Sequence, residues 1–211
     1  MVPQFLISDG VEKGDVKLID WGIKQFTDFI KNATDEKTGL PYHAYDSASG
    51  ERFGAIGWGR AMGWMLMGLS ESILALPKKY NKERTELLNI YKKYLDTIKP
   101  YQRQDGGFSW WLLSEEGPLD SSATAMILQS MMVVYSDIKD KYSEMAQKML
   151  ECLDTNCYDQ GKVIHCSAEC GGAGVYPQKY GSFPWSVAPY LICKILEKKN
   201  NGVFQCQKAK N

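Results

Sequence analysis

Two indoles and a guanidinium fall within seven residues at Trp58-Gly59-Arg60-Ala61-Met62-Gly63-Trp64. Flat aromatic faces beside an arginine fork suit a planar ring that carries a carboxylate, such as a sugar acid. An unpaired arginine is costly to bury, and Gly57, Gly59 and Gly63 penalise a helix unless something needs close backbone approach. The same residues also read as an ordinary buried helix start, with Arg60 reaching to the rim. Upstream, His43 is one of two histidines and stands among Tyr42, Tyr45 and Asp46. A lone histidine is more commonly a satisfied structural residue than a catalyst. Asp120 reads either as a helix N-cap or as a substrate-facing carboxylate. His165 with Cys157, Cys166 and Cys170 lacks any C-x-x-C pair and so misses the usual zinc arrangements; free buried thiols are the better reading.

The elements that must position these groups are helical. Residues 15–32 place Leu18, Ile19, Gly22, Ile23, Phe26, Phe29 and Ile30 at three- and four-residue spacing, the mark of an amphipathic helix. Residues 1–7 read as the tail of a helix closed by an Asp9-Gly10 turn. An extended aromatic segment, residues 40–46, leads into a central helix over 58–76 that is apolar all round and stops before Pro77. Amphipathic helices are expected over 81–97 and 142–153, and buried ones over 121–135 and 184–198. Loops bearing glycine and tryptophan or cysteine, 101–117 and 161–181, separate them.

Lys+Arg and Asp+Glu balance at 25 each, so charge makes no case for nucleic acid or an anionic membrane. No apolar run approaches the ~18 residues of a membrane span, and the first residues do not read as a signal peptide. All six cysteines lie in the last third. In a chain of 211 residues without an export signal, reduced thiols and a cytoplasmic location are expected.

A period runs through the pattern. Trp58, Asp120 and Ser182 each open an apolar helix and stand 62 residues apart. Each unit is a buried helix, a surface helix and a long loop. Such units stack because none can bury its own apolar face. Curved into a toroid, the buried helices form an inner ring and the loops gather where those helices begin. A closed ring of six would need roughly 370 residues at this period.

The Trp58-x-Arg60-x-x-Gly63-Trp64 pattern, preceded by His43-Ala44-Tyr45-Asp46, resembles the unsaturated glucuronyl and rhamnogalacturonyl hydrolases, glycosidases built as six-hairpin (α/α) barrels. Asp120-Ser121-Ser122-Ala123-Thr124-Ala125-Met126 is similar to the opening of that family's next inner helix. Cys170-Gly171-Gly172-Ala173-Gly174 and Tyr180-Gly181-Ser182 are similar to its closing segments. The resemblance covers nearly the whole chain, in order. It implies that His43 contacts an unsaturated sugar ring, with Asp46 available to orient its imidazole. Arg60 would hold the uronate, and Trp58 and Trp64 would wall the subsite. The implied partner is a 4,5-unsaturated uronyl oligosaccharide of the rhamnogalacturonyl type met in pectin degradation. An acid protonates the ring double bond, water adds at C5, and the resulting hemiketal opens. No cofactor and no metal are implied.

The family's general-acid aspartate precedes a segment like Met1-Val2-Pro3-Gln4-Phe5-Leu6, so here it would fall upstream of Met1, and no catalytic residue is assigned. The expectation is an all-α, single partial domain over 1–211, half to two-thirds of a barrel, in a truncated form of the enzyme. The alternative is a non-catalytic half-toroid that binds sugars or pairs with a partner. Another (α/α) toroid enzyme, an epimerase or lyase, would want further His or Tyr bases that cannot be placed. An open half-ring would expose Phe5, Leu6 and Ile7 at one edge and Tyr190, Leu191 and Leu196 near the other, and would pair through them as a homodimer.

Overall fold

A computed structural model describes residues 2–199; the expectation of a free thiol at Cys206 lies outside the described residues. Helix α1 (Val2–Lys13) runs straight through Asp9 and Gly10 rather than ending there. Gly10 is a packing residue, since a Cβ on it would lie 2.8 Å from both Asp15 O and Ile19 Cγ1 of the next element. The chain turns instead at Gly14, in the left-handed region at φ +67°. Asp15 then caps α2 (Val16–Ala33), its carboxylate accepting from Lys17 N at 2.9 Å. That bond satisfies one of the donors a helix start leaves orphaned.

The central helix α3 (Gly59–Ala75) buries Met62, Leu66, Leu69 and Ile73. Helix α4 (Asn81–Ile98) turns Leu87, Tyr91, Leu95 and Ile98 inward. In α5 (Ser121–Val133) every side chain from Ser121 to Met132 is buried. Helix α6 (Tyr135–Cys152) begins seven residues earlier than the expected 142–153, after a one-residue joint at Val134. Its apolar face starts there, because Tyr135, Ile138, Tyr142 and Met145 continue one stripe. Helix α7 (Pro184–Lys199) opens on Pro184, which the first turn tolerates, and carries a second proline, Pro189, inside the helix.

The helices pair as α1 with α2, α3 with α4, and α5 with α6, while α1, α3, α5 and α7 pack on one another in sequence. These four form the inner row of an all-α arc of helical hairpins, and α2, α4 and α6 form the outer one. The strands among the described residues are three two-residue antiparallel ladders in the loops: β1 (Ala44–Tyr45) with β2 (Arg52–Phe53), β3 (Tyr158–Asp159) with β4 (Lys162–Val163), and β5 (Cys166–Ser167) with β6 (Tyr180–Gly181). The loops gather at the starts of the inner helices. Gly59 N donates to Trp110 O at 2.7 Å, and Ser121 N donates to His165 O at 3.0 Å.

The edges depart from expectation in part. Ile7 is buried against Gly22 of α2, Tyr190 is buried with its hydroxyl donating to Asp154 at 2.8 Å, and Leu6 and Leu196 are half-buried. The exposed apolar side chains of the two end helices are Val2 and Phe5 on α1 and Leu191, Ile192 and Ile195 on α7.

Candidate functional site

The segment before α3 is held from both sides. Tyr42 N donates to Ala33 O at 2.8 Å and Gly57 N to Pro41 O at 2.9 Å. This brings His43 against the start of α3, its ring centroid 4.4 Å from that of Trp58. A cavity of about 440 Å³ opens here, lined by His43, Trp58 and Trp64 together with Val2 and Pro3 of α1 and Phe29 of α2. Its wall is mostly apolar and aromatic, as small-molecule sites tend to be. Three of the four residues singled out by their spacing therefore line one hollow at the mouth of the inner row.

Arg60 stands beside this wall rather than in it. Its guanidinium carbon lies 4.8 Å from the Trp58 ring and 5.6 Å from that of Trp185. Nη1 donates to Ser167 O at 2.8 Å, Ser167 Oγ at 2.5 Å and Ser122 Oγ at 3.3 Å, and Nη2 donates to Ala168 O at 2.7 Å. Asp120 supplies the counter-charge, with Oδ2 3.9 Å from Nη1. Among the described residues no hydrogen bond uses Nε–H, and Nη2 keeps one hydrogen. The fork thus keeps donors beyond those that hold Ser167 and Ala168.

Asp120 takes the N-cap reading. Its Oδ1 accepts from Ser122 N at 2.9 Å, Ser122 Oγ at 2.5 Å and Ser167 N at 3.2 Å, and Oδ2 accepts from Ser167 Oγ at 2.7 Å. It is fully buried and is not among the cavity-lining residues. Asp46 does not orient His43. Its carboxylate accepts from Ala48 N and Ser49 Oγ inside the β1–β2 turn, an Asx-type bond that competes for the side chain locally.

The partner of His43 is a residue that sequence reasoning left unassigned. Tyr176 Oη lies 2.8 Å from His43 Nδ1 and accepts from Ala55 N at 3.0 Å. Its ring is 5.6 Å from both Trp58 and Trp110. Burial first, and then the Arg60 charge, hold the His43 pKa below the ordinary histidine value. Burial raises the Tyr176 phenol.

His165 has an exposed side chain and a left-handed backbone at φ +59°, and its carbonyl serves the first turn of α5. Cys152, Cys157, Cys166, Cys170 and Cys193 are free thiols, all but Cys170 buried. Burial pushes Cys166 and Cys193 up, away from the thiolate form a metal or electrophile needs.

Residues 1–197 match the profile of Glycosyl Hydrolase Family 88. The chain belongs to that family. Among solved structures, a glycoside hydrolase from family 105 of C. acetobutylicum ATCC 824 superposes with a TM-score of 0.79 at 25% identity, covering 93% of this chain and 62% of its own. A possible member of the GH105 family from Klebsiella pneumoniae gives 0.78 at 21%, covering 90% and 52%. An unsaturated glucuronyl hydrolase of Bacillus sp. GL1, responsible for the degradation of glycosaminoglycan, gives 0.71 at 17%, covering 96% and 57%. The chain thus spans between half and two-thirds of the length of these structures. The family 88 chain shares with them the (α/α) toroid of helical hairpins.

Proposed function

We propose that this family 88 chain carries the sugar-binding wall of a glycoside hydrolase that acts on 4,5-unsaturated uronyl oligosaccharides, of the rhamnogalacturonyl type used in pectin degradation, by hydrating the ring double bond. The observation that carries this reading is the hollow lined by His43, Trp58 and Trp64, with the Arg60 guanidinium beside it, 4.8 Å from the Trp58 ring. Trp58 and Trp64 stack the ring, His43 bonds it, and Arg60 answers its carboxylate. A proton donor is needed to start the reaction, and among the described residues no aspartate or glutamate lines the cavity. The chain by itself therefore binds the sugar and turns it over little or not at all. Free thiols in five described positions fit a reducing, cytoplasmic compartment.

Calorimetric titration with an unsaturated galacturonyl-rhamnose disaccharide, run beside an assay of absorbance at its double bond, tests this. Saturable binding without appreciable loss of absorbance is expected. No binding would overturn the reading of the site. Steady loss of absorbance would overturn the binding-only half and send the search to an acid outside the cavity wall.

A second reading is favoured by the two end helices, where Val2 and Phe5 on α1 and Leu191 and Ile195 on α7 face outward. It is a partner-pairing arc, most simply a homodimer joined through those edges.

A further inference from the structure

The loop between β5 and β6 has no obvious reason to approach His43, 133 residues earlier in the chain. It is nevertheless built to do so. At its start Arg60 grips Ser167 O and Ala168 O, and Asp120 grips Ser167 N and Oγ. Ser167 also pairs with Tyr180 at the loop's far end. At its tip the loop closes on Gly54, whose φ is +82° and where a Cβ would lie 2.6 Å from Tyr176 Oη, 2.7 Å from Ala173 O and 2.7 Å from His43 Cβ. Only a residue without a side chain leaves room for that approach.

We propose that Tyr176 is a positioning residue that fixes His43 in the neutral form with Nδ1 bare and the proton on Nε2. Ala55 N–H can only donate, so it takes a lone pair of the Tyr176 hydroxyl. The hydroxyl's own hydrogen then needs an acceptor, and among the described residues the one within reach is His43 Nδ1 at 2.8 Å. If Nδ1 were protonated, two donors would converge on the phenol oxygen and its hydrogen would be left unsatisfied in a half-buried place, a costly arrangement. With Nδ1 bare, both bonds are made. Nε2–H is then the free donor on a side chain that lines the cavity. His43 accordingly offers a hydrogen bond to a bound oxygen and does not accept a proton there. That last step rests on the sugar-binding reading of the cavity; the protonation pattern does not.

The chain has two histidines, His43 and His165, so nitrogen-15 long-range spectra of the uniformly labelled protein at neutral pH read the pattern directly, with His165→Asn assigning the signals. We expect His43 Nδ1 to show the shift of a bare ring nitrogen and Nε2 that of an N–H. In Tyr176→Phe, tautomer averaging should return and the His43 titration midpoint should rise, with circular dichroism showing the helices retained. A protonated Nδ1 in the unaltered chain overturns the proposal whatever the variant does. An unchanged tautomer in a folded Tyr176→Phe overturns the role given to the phenol. If the unaltered chain shows the expected tautomer but binds no unsaturated disaccharide, the sugar reading fails and the positioning role stands.

Discussion

Arg60 and Asp120 bring opposite charges within 3.9 Å of each other with almost no solvent at either side chain. The pair joins the starts of α3 and α5, and both partners hold Ser167, the first anchor of the loop that delivers Tyr176. A buried pair of this kind adds little over an apolar substitute, but removing one member strands the other's charge. Asp120→Ala should therefore cost roughly 3–5 kcal/mol, a loss that includes the α5 cap. Denaturant unfolding of Asp120→Ala, Arg60→Leu and the double variant checks this. The double variant should be less unstable than the two single losses added together, and strict additivity would mean that the charges do not feel each other.

Arg60 and Trp64 should separate on two ligands. Trp64 lines the cavity and offers a face to any sugar ring, so Trp64→Ala should weaken an unsaturated uronyl disaccharide and its neutral methyl ester alike. Arg60→Lys keeps the charge opposite Asp120 but loses the planar fork. It should weaken the uronate more than the ester by roughly 1.5–3 kcal/mol, the size of a hydrogen bond to a charged group, beyond any loss both ligands share through the loosened Ser167–Ala168 anchor. Calorimetry reads both. Equal losses with Arg60→Lys would make that residue purely structural.

Much of this arrangement is legible along the chain, and what is not has a physical cause. Helices α2, α3, α4 and α7 announce themselves because their apolar faces are long and uninterrupted. Helix α1 is cut short in a reading of the sequence because Asp9-Gly10 has turn chemistry; only the proximity of Ile19 shows that Gly10 is there for packing. Asp46 looks like the natural partner of His43 from three residues away, yet the β1–β2 turn takes its carboxylate. Tyr176 and Ser167 carry no local mark of their roles. Their contacts with His43 and Arg60 span more than a hundred residues and exist only once the hairpins have stacked.

Gly54 offers a sharper check on that long-range closure. Gly54→Ala adds a methyl group within contact of backbone and Tyr176 at a positive φ. Gly14 has a similar φ of +67° but nothing within 4 Å of its would-be Cβ. Gly14→Ala should therefore cost only the backbone term, about 1–2 kcal/mol. Gly54→Ala should cost clearly more and should also release Tyr176 from His43. Paired denaturation curves decide it, and equal costs would mean that the loop does not need the close approach.

The depressed pKa of His43 sets a pH dependence with a definite sign. Its folded-state pKa lies below the ordinary 6.5, so between the two values the unfolded chain binds the proton and the folded chain does not. Stability from this group is then full above about 6.5 and falls as pH drops toward the folded-state value. Asp46, Asp96 and Asp105 have pKa values held below the ordinary carboxylate value and titrate in a more acid range. Thermal midpoints measured from pH 7.5 down to 5 should decline in the unaltered chain and decline less steeply in His43→Asn. Parallel curves for the two proteins would remove His43 from the account.

Phe5 on α1 is 68% exposed and Leu191 on α7 is 53% exposed, each with apolar neighbours on the same helix: Val2 beside the first, Ile192 and Ile195 beside the second. Scattered single apolar side chains on a surface need no explanation, but clusters on unpaired helix faces mark interfaces. On the partner-pairing reading, a second copy of the chain covers them. Sedimentation over a concentration series should show self-association, with a two-fold dimer as the simplest product. Phe5→Lys and Leu191→Lys introduce a charge at one edge each without touching the core, so they report separately on α1 and α7. Loss of association with only one of them names the edge that pairs. A monomer at every concentration, in the unaltered chain, would show that these faces tolerate water and would remove the partner-pairing reading.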